Sequence, residues 1–201
     1  HPFTDDVFKP ATYLASVIWG SIGDNLASAR TGMDFLQSIA RIVSQEQLPI
    51  HWTSPVGFPV YQSYPEMKSS RIKTMLMGEV IKPRLKIETD KTDKLKMANG
   101  IAPNFVHALD SSAMMRTVNI AYAKGIRNFC NVHDSFGTTA GDVETLTESL
   151  KEAFIKIFTN NDVLEKFRDE VMDQVTNPDL KLQFPAIPAK GSLDIWKLND
   201  C

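Results

Sequence analysis

The chain has 201 residues, 43% of them hydrophobic, which is enough to bury a sizeable core and excludes wholesale disorder. A net charge of −2 excludes a uniformly basic nucleic-acid binder, and only two cysteines, Cys130 and Cys201, exclude a disulfide framework. No apolar run reaches membrane-spanning length, no signal peptide is visible, and the start at His1 reads as a missing native amino terminus. A reducing, cytoplasmic setting fits this composition.

Residues 1–9 read as a polar lead, and Pro10 suits a first helical position. Tyr13, Leu14, Val17 and Ile18, then Leu26, Met33, Leu36, Ile39 and Val43, recur at helical spacing. Residues 10–46 are therefore expected as one or two packing helices, with Tyr13 and Trp19 in the core. The next stretch, HWTSPVGFPVYQSY over residues 51–64, cannot be helical through Pro55, Gly57 and Pro59. Its Trp52, Phe58, Val60 and Tyr61 predict strands around a Pro-Gly turn. His51 has no partner at metal-ligand spacing and reads as structural.

Residues 68–96 hold nine Lys/Arg and four Asp/Glu, so positive charge is concentrated there and the remainder of the chain is acidic. Arg71, Lys73 and Met75 alternate with Ile72, Thr74 and Leu76; beyond Gly78, Lys82, Arg84 and Lys86 alternate with Ile81, Leu85 and Ile87. This predicts a basic β-hairpin with cations on one face and aliphatics on the other. Such a ribbon has the dimensions to enter a DNA major groove. The same pattern also describes a solvated surface hairpin.

Asn99-Gly100 predicts a turn, and Pro103-Asn104 the opening of a helix that Gly125 stops near residue 124. His107 and Asp110 share a face of it. Residues 127–137, RNFCNVHDSFG, alternate as two short strands interrupted by His133-Asp134. A hairpin tip presenting a carboxylate follows. The local pattern leaves Asp134 open between a turn stabiliser and a cation ligand. Asp142 is expected as the N-cap of a helix striped by Val143, Leu146, Leu150, Phe154 and Ile157. A further amphipathic helix is expected over residues 162–175, and a Pro-rich end docking through Ile195 and Trp196.

In combination, NGIAPNFVHALDSS (residues 99–112) and NVHDSFGT (residues 131–138) resemble the carboxy-terminal part of single-subunit, bacteriophage-type RNA polymerases, relatives of the mitochondrial RNA polymerases. HWTSPVGFPVYQSY and PAIPAKGSLDI resemble the same family in the same order, so the likeness spans about residues 13–195. The resemblance implies an α+β chain, multi-helix with short antiparallel hairpins, in a right-hand polymerase fold. Residues 1–100 would hold fingers-derived helices and a basic specificity hairpin (about 68–97). Residues 101–201 would hold a palm helix, the HDS catalytic hairpin and carboxy-terminal helices.

The resemblance also implies DNA-directed RNA synthesis from rNTPs by two-metal nucleotidyl transfer, with Mg2+ as cofactor. Asp134 matches a magnesium ligand, and magnesium prefers such hard oxygen donors. His133 would lie beside the site. His107 would contact the minor-groove side of the incoming nucleotide or new base pair, including the ribose 2′-hydroxyl. The basic hairpin stands where the family reads promoter bases in the major groove, making Arg71, Lys73, Lys82, Arg84 and Lys86 candidates. Its tip around Gly78 does not align with the phage pattern, and the chain ends KLNDC instead of an aromatic-alanine tail.

The family's other metal-binding carboxylate, and its helix with a nucleotide-handling lysine and tyrosine, have no counterpart in this sequence. The expected partners are template and promoter DNA, the RNA transcript, rNTPs and the amino-terminal remainder of the polymerase, with no membrane. A phage-infected host cytoplasm is the expected location, with mitochondria as the alternative. Two rival readings are a non-catalytic nucleic-acid-binding module and a DNA polymerase palm. A hydrolase built on His107, Asp110, His133 and Asp134 is disfavoured, because adjacent strand residues point to opposite faces.

Overall fold

The computed structural model describes residues 8–132, 134–160, 162–191, 194 and 197. Helices and two-stranded antiparallel sheets alternate along the chain, an α+β arrangement in agreement with the sequence. Helices α1 (Phe8–Asn25) and α2 (Ala27–Val43) come first. Strands β1 (Ile50–Thr53) and β2 (Pro59–Gln62) then pair around the predicted Pro-Gly loop, where Gly57 takes φ +84°.

A long ribbon follows, with β3 (Pro65–Arg71) against β6 (Arg84–Thr92) and β4 (Thr74–Leu76) against β5 (Glu79–Ile81). Helix α3 (Lys94–Ala123) leads to the short hairpin of β7 (Cys130–Val132) and β8 (Ser135–Gly137). Helices α4 (Val143–Asn160), α5 (Val163–Gln174) and α6 (Pro178–Lys181) complete the described elements. No helix among the described residues is long and apolar enough to cross a membrane.

Helix α3 begins about nine residues before the expected Pro103 start. Asp93 caps it, accepting from the Lys96 N–H at 3.1 Å. That bond, first, and the Lys96 ammonium hold the Asp93 carboxyl below the usual carboxylate range. The helix runs through Gly100 and Pro103 because Met97, Ala98, Ile101 and Phe105 are buried. Their packing outweighs the hydrogen bond that Pro103 cannot donate.

The larger core joins α2, β1, α3 and α5. At its centre Trp52, Phe105 and Phe167 pack edge-on or tilted, with centroids 5.1–6.3 Å apart. The free edge of β1 is covered by side chains of α5. Glu170 accepts from the Thr53 N–H at 2.6 Å, and Gln174 both accepts from the His51 N–H and donates to its carbonyl. His51 is thus a strand-edge residue with its side chain exposed. A smaller core, Ala121, Ile126 and Leu146 with Phe129 and Phe136, seats the β7–β8 hairpin on α3 and α4.

One further expectation is corrected. Helix α1 has no buried residue: Tyr13 is 73% and Trp19 63% exposed, so neither is a core side chain. Periodicity finds the apolar face but not what covers it. The α4 stripe is only partly covered, with Leu146 and Ile157 buried and Val143 and Phe154 exposed. Asp142 ends a short 3-10 turn and accepts from the Thr139 hydroxyl at 2.7 Å. The expected docking through Ile195 and Trp196 lies outside the described residues.

Candidate nucleotidyl-transfer site

In the β7–β8 hairpin Cys130 faces Gly137, Asn131 faces Phe136 and Val132 faces Ser135, which leaves positions 133 and 134 as a two-residue connection. Asp134 lies in this turn with its side chain exposed. His133 falls outside the described residues. The base of the hairpin is held firmly. Phe129 and Phe136 pack on the smaller core, and the Thr138 hydroxyl donates to the Asn128 carbonyl at 2.8 Å. The Arg127 guanidinium donates to the Tyr122 and Ile126 carbonyls at 2.6 and 3.0 Å and lies 4.0 Å from the Tyr122 ring centroid. A packed stem therefore holds one carboxylate out to solvent. Among the described residues no group of three or more His, Cys, Asp or Glu side chains could hold a metal by itself. Asp134 fits magnesium as a single hard oxygen ligand of an ion that keeps waters and phosphates in its shell.

His107 is exposed on α3 and lines a groove of about 390 Å³ between that helix and the β1–β2 hairpin. Phe58, Tyr61, Asn104, Ser111 and Met115 share the groove. Phe58 and Tyr61 are exposed aromatics at its edge. No hydrogen bond or ion pair joins His107 to Asp110 or to Asp134 among the described residues.

The ribbon carries all five predicted cations, and its register sets three of them, Arg71, Arg84 and Lys86, apart from Leu85 and Ile87, while Lys68 shares the aliphatic face. Arg71 pairs with Arg84 and Ser69 with Lys86, while Ser70 pairs with Leu85 and Lys68 with Ile87. Residues directly opposite share a face, so Arg71, Arg84 and Lys86 lie together, with Leu85 and Ile87 on the reverse. Pro83 interrupts the ladder, although its carbonyl still accepts from the Ile72 N–H at 3.1 Å. Lys73 and Lys82 lie in this break, outside the paired strands. At the tip Met77 and Gly78 take φ +50° and +85°, the two positive angles of a two-residue hairpin turn. Met77 is 98% exposed there.

The profile of the DNA-dependent RNA polymerase family matches residues 2–181. The chain belongs to that family. It is 34% identical over 202 residues to T7 RNA polymerase of Escherichia phage T7, covering 93% of this chain and 23% of the relative. It is 34% identical over 205 residues to the DNA-directed RNA polymerase of Enterobacteria phage K11, covering 93% and 22%. Mitochondrial DNA-directed RNA polymerase 1 of Nicotiana sylvestris is 35% identical over 191 residues, covering 95% and 18%. The chain thus spans less than a quarter of the length of each of these relatives.

A hydrogen-bonded node joins the root of the ribbon to α3. Buried Gln62 donates through Nε2 to the Met97 carbonyl at 2.9 Å. Asn104 Nδ2 donates to Gln62 Oε1 at 2.8 Å and to the Tyr64 hydroxyl at 3.1 Å. The Asp93 N–H closes the root of the ribbon on the Tyr64 carbonyl at 2.8 Å. This node fastens the ribbon root to the turn of α3 that precedes His107. Its only sequence signal is Gly100, where a Cβ would stand 2.8 Å from the Tyr64 ring.

Proposed function

We propose that this chain is the carboxy-terminal catalytic part of a single-subunit DNA-directed RNA polymerase, built on the right-hand fold and dependent on Mg2+. Residues 1–100 supply fingers-derived helices and the specificity hairpin. Residues 101–201 supply the palm helix, the catalytic hairpin and the carboxy-terminal helices. The observation that carries the reading is Asp134, held exposed at the tip of a hairpin with a packed stem, in a chain matched to the polymerase family.

In this reading Asp134 provides one carboxylate of the magnesium site, and His133 stands beside it. Of the two ions such a site would hold, one would lower the pKa of the attacking hydroxyl and the other would neutralise the triphosphate. His107 holds the minor-groove side of the incoming nucleotide or new pair; a neutral imidazole can donate or accept such a bond. Arg71, Lys73, Lys82, Arg84 and Lys86 meet promoter DNA, Arg suiting guanine edges and Lys the phosphates. One carboxylate does not complete a two-metal site, so this chain acts with further polymerase structure, in the same chain or another. The uncovered apolar face of α1 agrees with that. The phage relatives favour action in the host cytoplasm, and the plant organellar ones make an organelle the alternative.

The deciding experiment is Asp134→Ala in the complete polymerase, assayed for templated RNA synthesis and template binding. Lost synthesis with binding retained supports the reading. Unchanged synthesis rejects it and leaves a non-catalytic nucleic-acid-binding module. Offering rNTPs and dNTPs in parallel tests RNA against DNA synthesis. Templated RNA synthesis by the isolated 201-residue chain would refute its dependence on further structure.

A further inference from the structure

We infer that Asn104 is a specificity-determining residue of the polymerase reaction. Its Oδ1 is a fixed hydrogen-bond acceptor, presented to a donor on the minor-groove side of the nucleotide beside His107. The inference rests on the reading of the His107 groove proposed above.

A side-chain amide can ordinarily turn over and exchange its donor and acceptor ends. Here a backbone carbonyl prevents it. The Met97 carbonyl can only accept, so the Gln62 end that meets it, at 2.9 Å, is the Nε2 donor. Gln62 is 2% exposed, and the opposite orientation would set two acceptors against each other out of water. Gln62 Oε1 is therefore an acceptor, and the Asn104 group 2.8 Å from it is the Nδ2 donor. The same Nδ2 donates to the Tyr64 hydroxyl at 3.1 Å, which occupies both amide hydrogens.

Asn104 Oδ1 accepts from none of the described residues, yet it is not a buried unpartnered atom. It is the polar end that Asn104 has left for the groove it lines with His107. The two residues are three apart on α3 and share a face. The turn beneath them is fixed by the Tyr64 ring seated on Gly100. An acceptor held this way selects a ligand group that donates, because an analogue lacking the donor leaves the acceptor unpaired. A new base pair offers two such groups on its minor-groove side: the ribose 2′-hydroxyl and the guanine exocyclic amine.

The test is single-nucleotide incorporation by the complete polymerase opposite cytosine, with GTP, ITP (which lacks the exocyclic amine) and dGTP (which lacks the 2′-hydroxyl). Asn104→Ala is expected to lower kcat/KM for GTP by about tenfold and to leave one analogue unaffected. Sparing of ITP assigns the amine, and sparing of dGTP assigns the hydroxyl. An equal loss on all three substrates, or no loss on any, overturns the inference. His107→Ala separates the two levels. If His107→Ala distinguishes GTP from dGTP while Asn104→Ala does not discriminate, only this inference fails; if neither variant changes anything, the groove reading fails with it. Tyr64→Phe keeps the Gln62 bond and removes the hydroxyl, so a smaller loss with the same substrate pattern is expected. That variant decides the matter should Asn104→Ala not fold, and a uniform loss or none in it again overturns the inference.

Discussion

Arg71 and Arg84 stand directly opposite each other in the ribbon, two guanidinium groups on one face of an exposed two-stranded sheet. Like charges in that position destabilise the pair by up to about 1 kcal/mol. The arrangement is favourable only when an anion neutralises it. Arg84→Ala should therefore leave the free chain as stable or slightly more stable, while weakening its binding to duplex DNA. The check is binding by fluorescence anisotropy over about 50–200 mM salt, the range in which phosphate contacts dominate. If Arg84 meets a phosphate, the slope of log K against log salt should fall in magnitude by about one. An unchanged slope with unchanged affinity would remove Arg84 from the interface.

Asn131 provides a different test, on the hairpin that carries Asp134. Its Oδ1 is buried and accepts no hydrogen bond. Asn131 faces Phe136 across the hairpin, and Phe136 packs on the smaller core. An unsatisfied buried acceptor costs about 1–3 kcal/mol, whereas an apolar group of the same shape does not. Asn131→Leu should raise Tm by about 2–4 °C, corresponding to about 1 kcal/mol in a chain of this size. A lower Tm in thermal melts would mean that the polar atom is satisfied in solution.

Glu46 links the end of α2 to the start of α6. Its carboxylate accepts from the Thr176 N–H and hydroxyl, each at 3.0 Å, and from the Asn177 N–H at 2.7 Å. The Thr176 N–H, first, and then the Asn177 N–H hold its pKa below the ordinary 4.5. A carboxyl with a depressed folded pKa contributes stability above its unfolded value and loses it as pH falls through the folded one. The wild-type chain should therefore lose Tm on acidification below about pH 4.5, the unfolded pKa. Glu46→Gln should melt lower at pH 7 and lose less of its Tm over that window. Parallel wild-type and variant curves down to pH 3 would show that the carboxylate charge is not used.

The hairpins are legible in the sequence because alternation is a local property. Arg71 and Ile72 face opposite ways in any strand, and pairing Arg71 with Arg84 needs only the tight turn at Met77-Gly78. Asp134 is legible as a tip residue for the same reason. The start of α3 is not. Asn99-Gly100 and Pro103 are strong local breakers, and only the burial of Met97 and Ile101 against distant segments outweighs them. The Gln62–Asn104 bond joins residues 42 apart in sequence and follows from no periodicity. The exposure of Tyr13 and Trp19 is invisible for a related reason: an apolar stripe announces that something covers it, not that the covering element lies in these residues.

Gly100 and Tyr64 permit the last prediction, because the sign of one substitution should depend on the other residue. A glycine within a helix is less favourable than alanine by about 0.5–1 kcal/mol. At position 100 the added methyl carbon would meet the Tyr64 ring at 2.8 Å and its hydroxyl at 3.1 Å. Tyr64 cannot retreat freely, since its hydroxyl accepts from Asn104 and its carbonyl holds the Asp93 N–H. Gly100→Ala in the wild-type background should thus destabilise by about 1–3 kcal/mol, the usual cost of overpacking. In a Tyr64→Ala background the obstruction is gone, and the same change should stabilise by up to about 1 kcal/mol through helix propensity alone. A double-mutant cycle in urea measures the coupling. Additive effects would show that the Tyr64 ring does not rest on Gly100 in solution, and that the turn before His107 is held in place by other contacts.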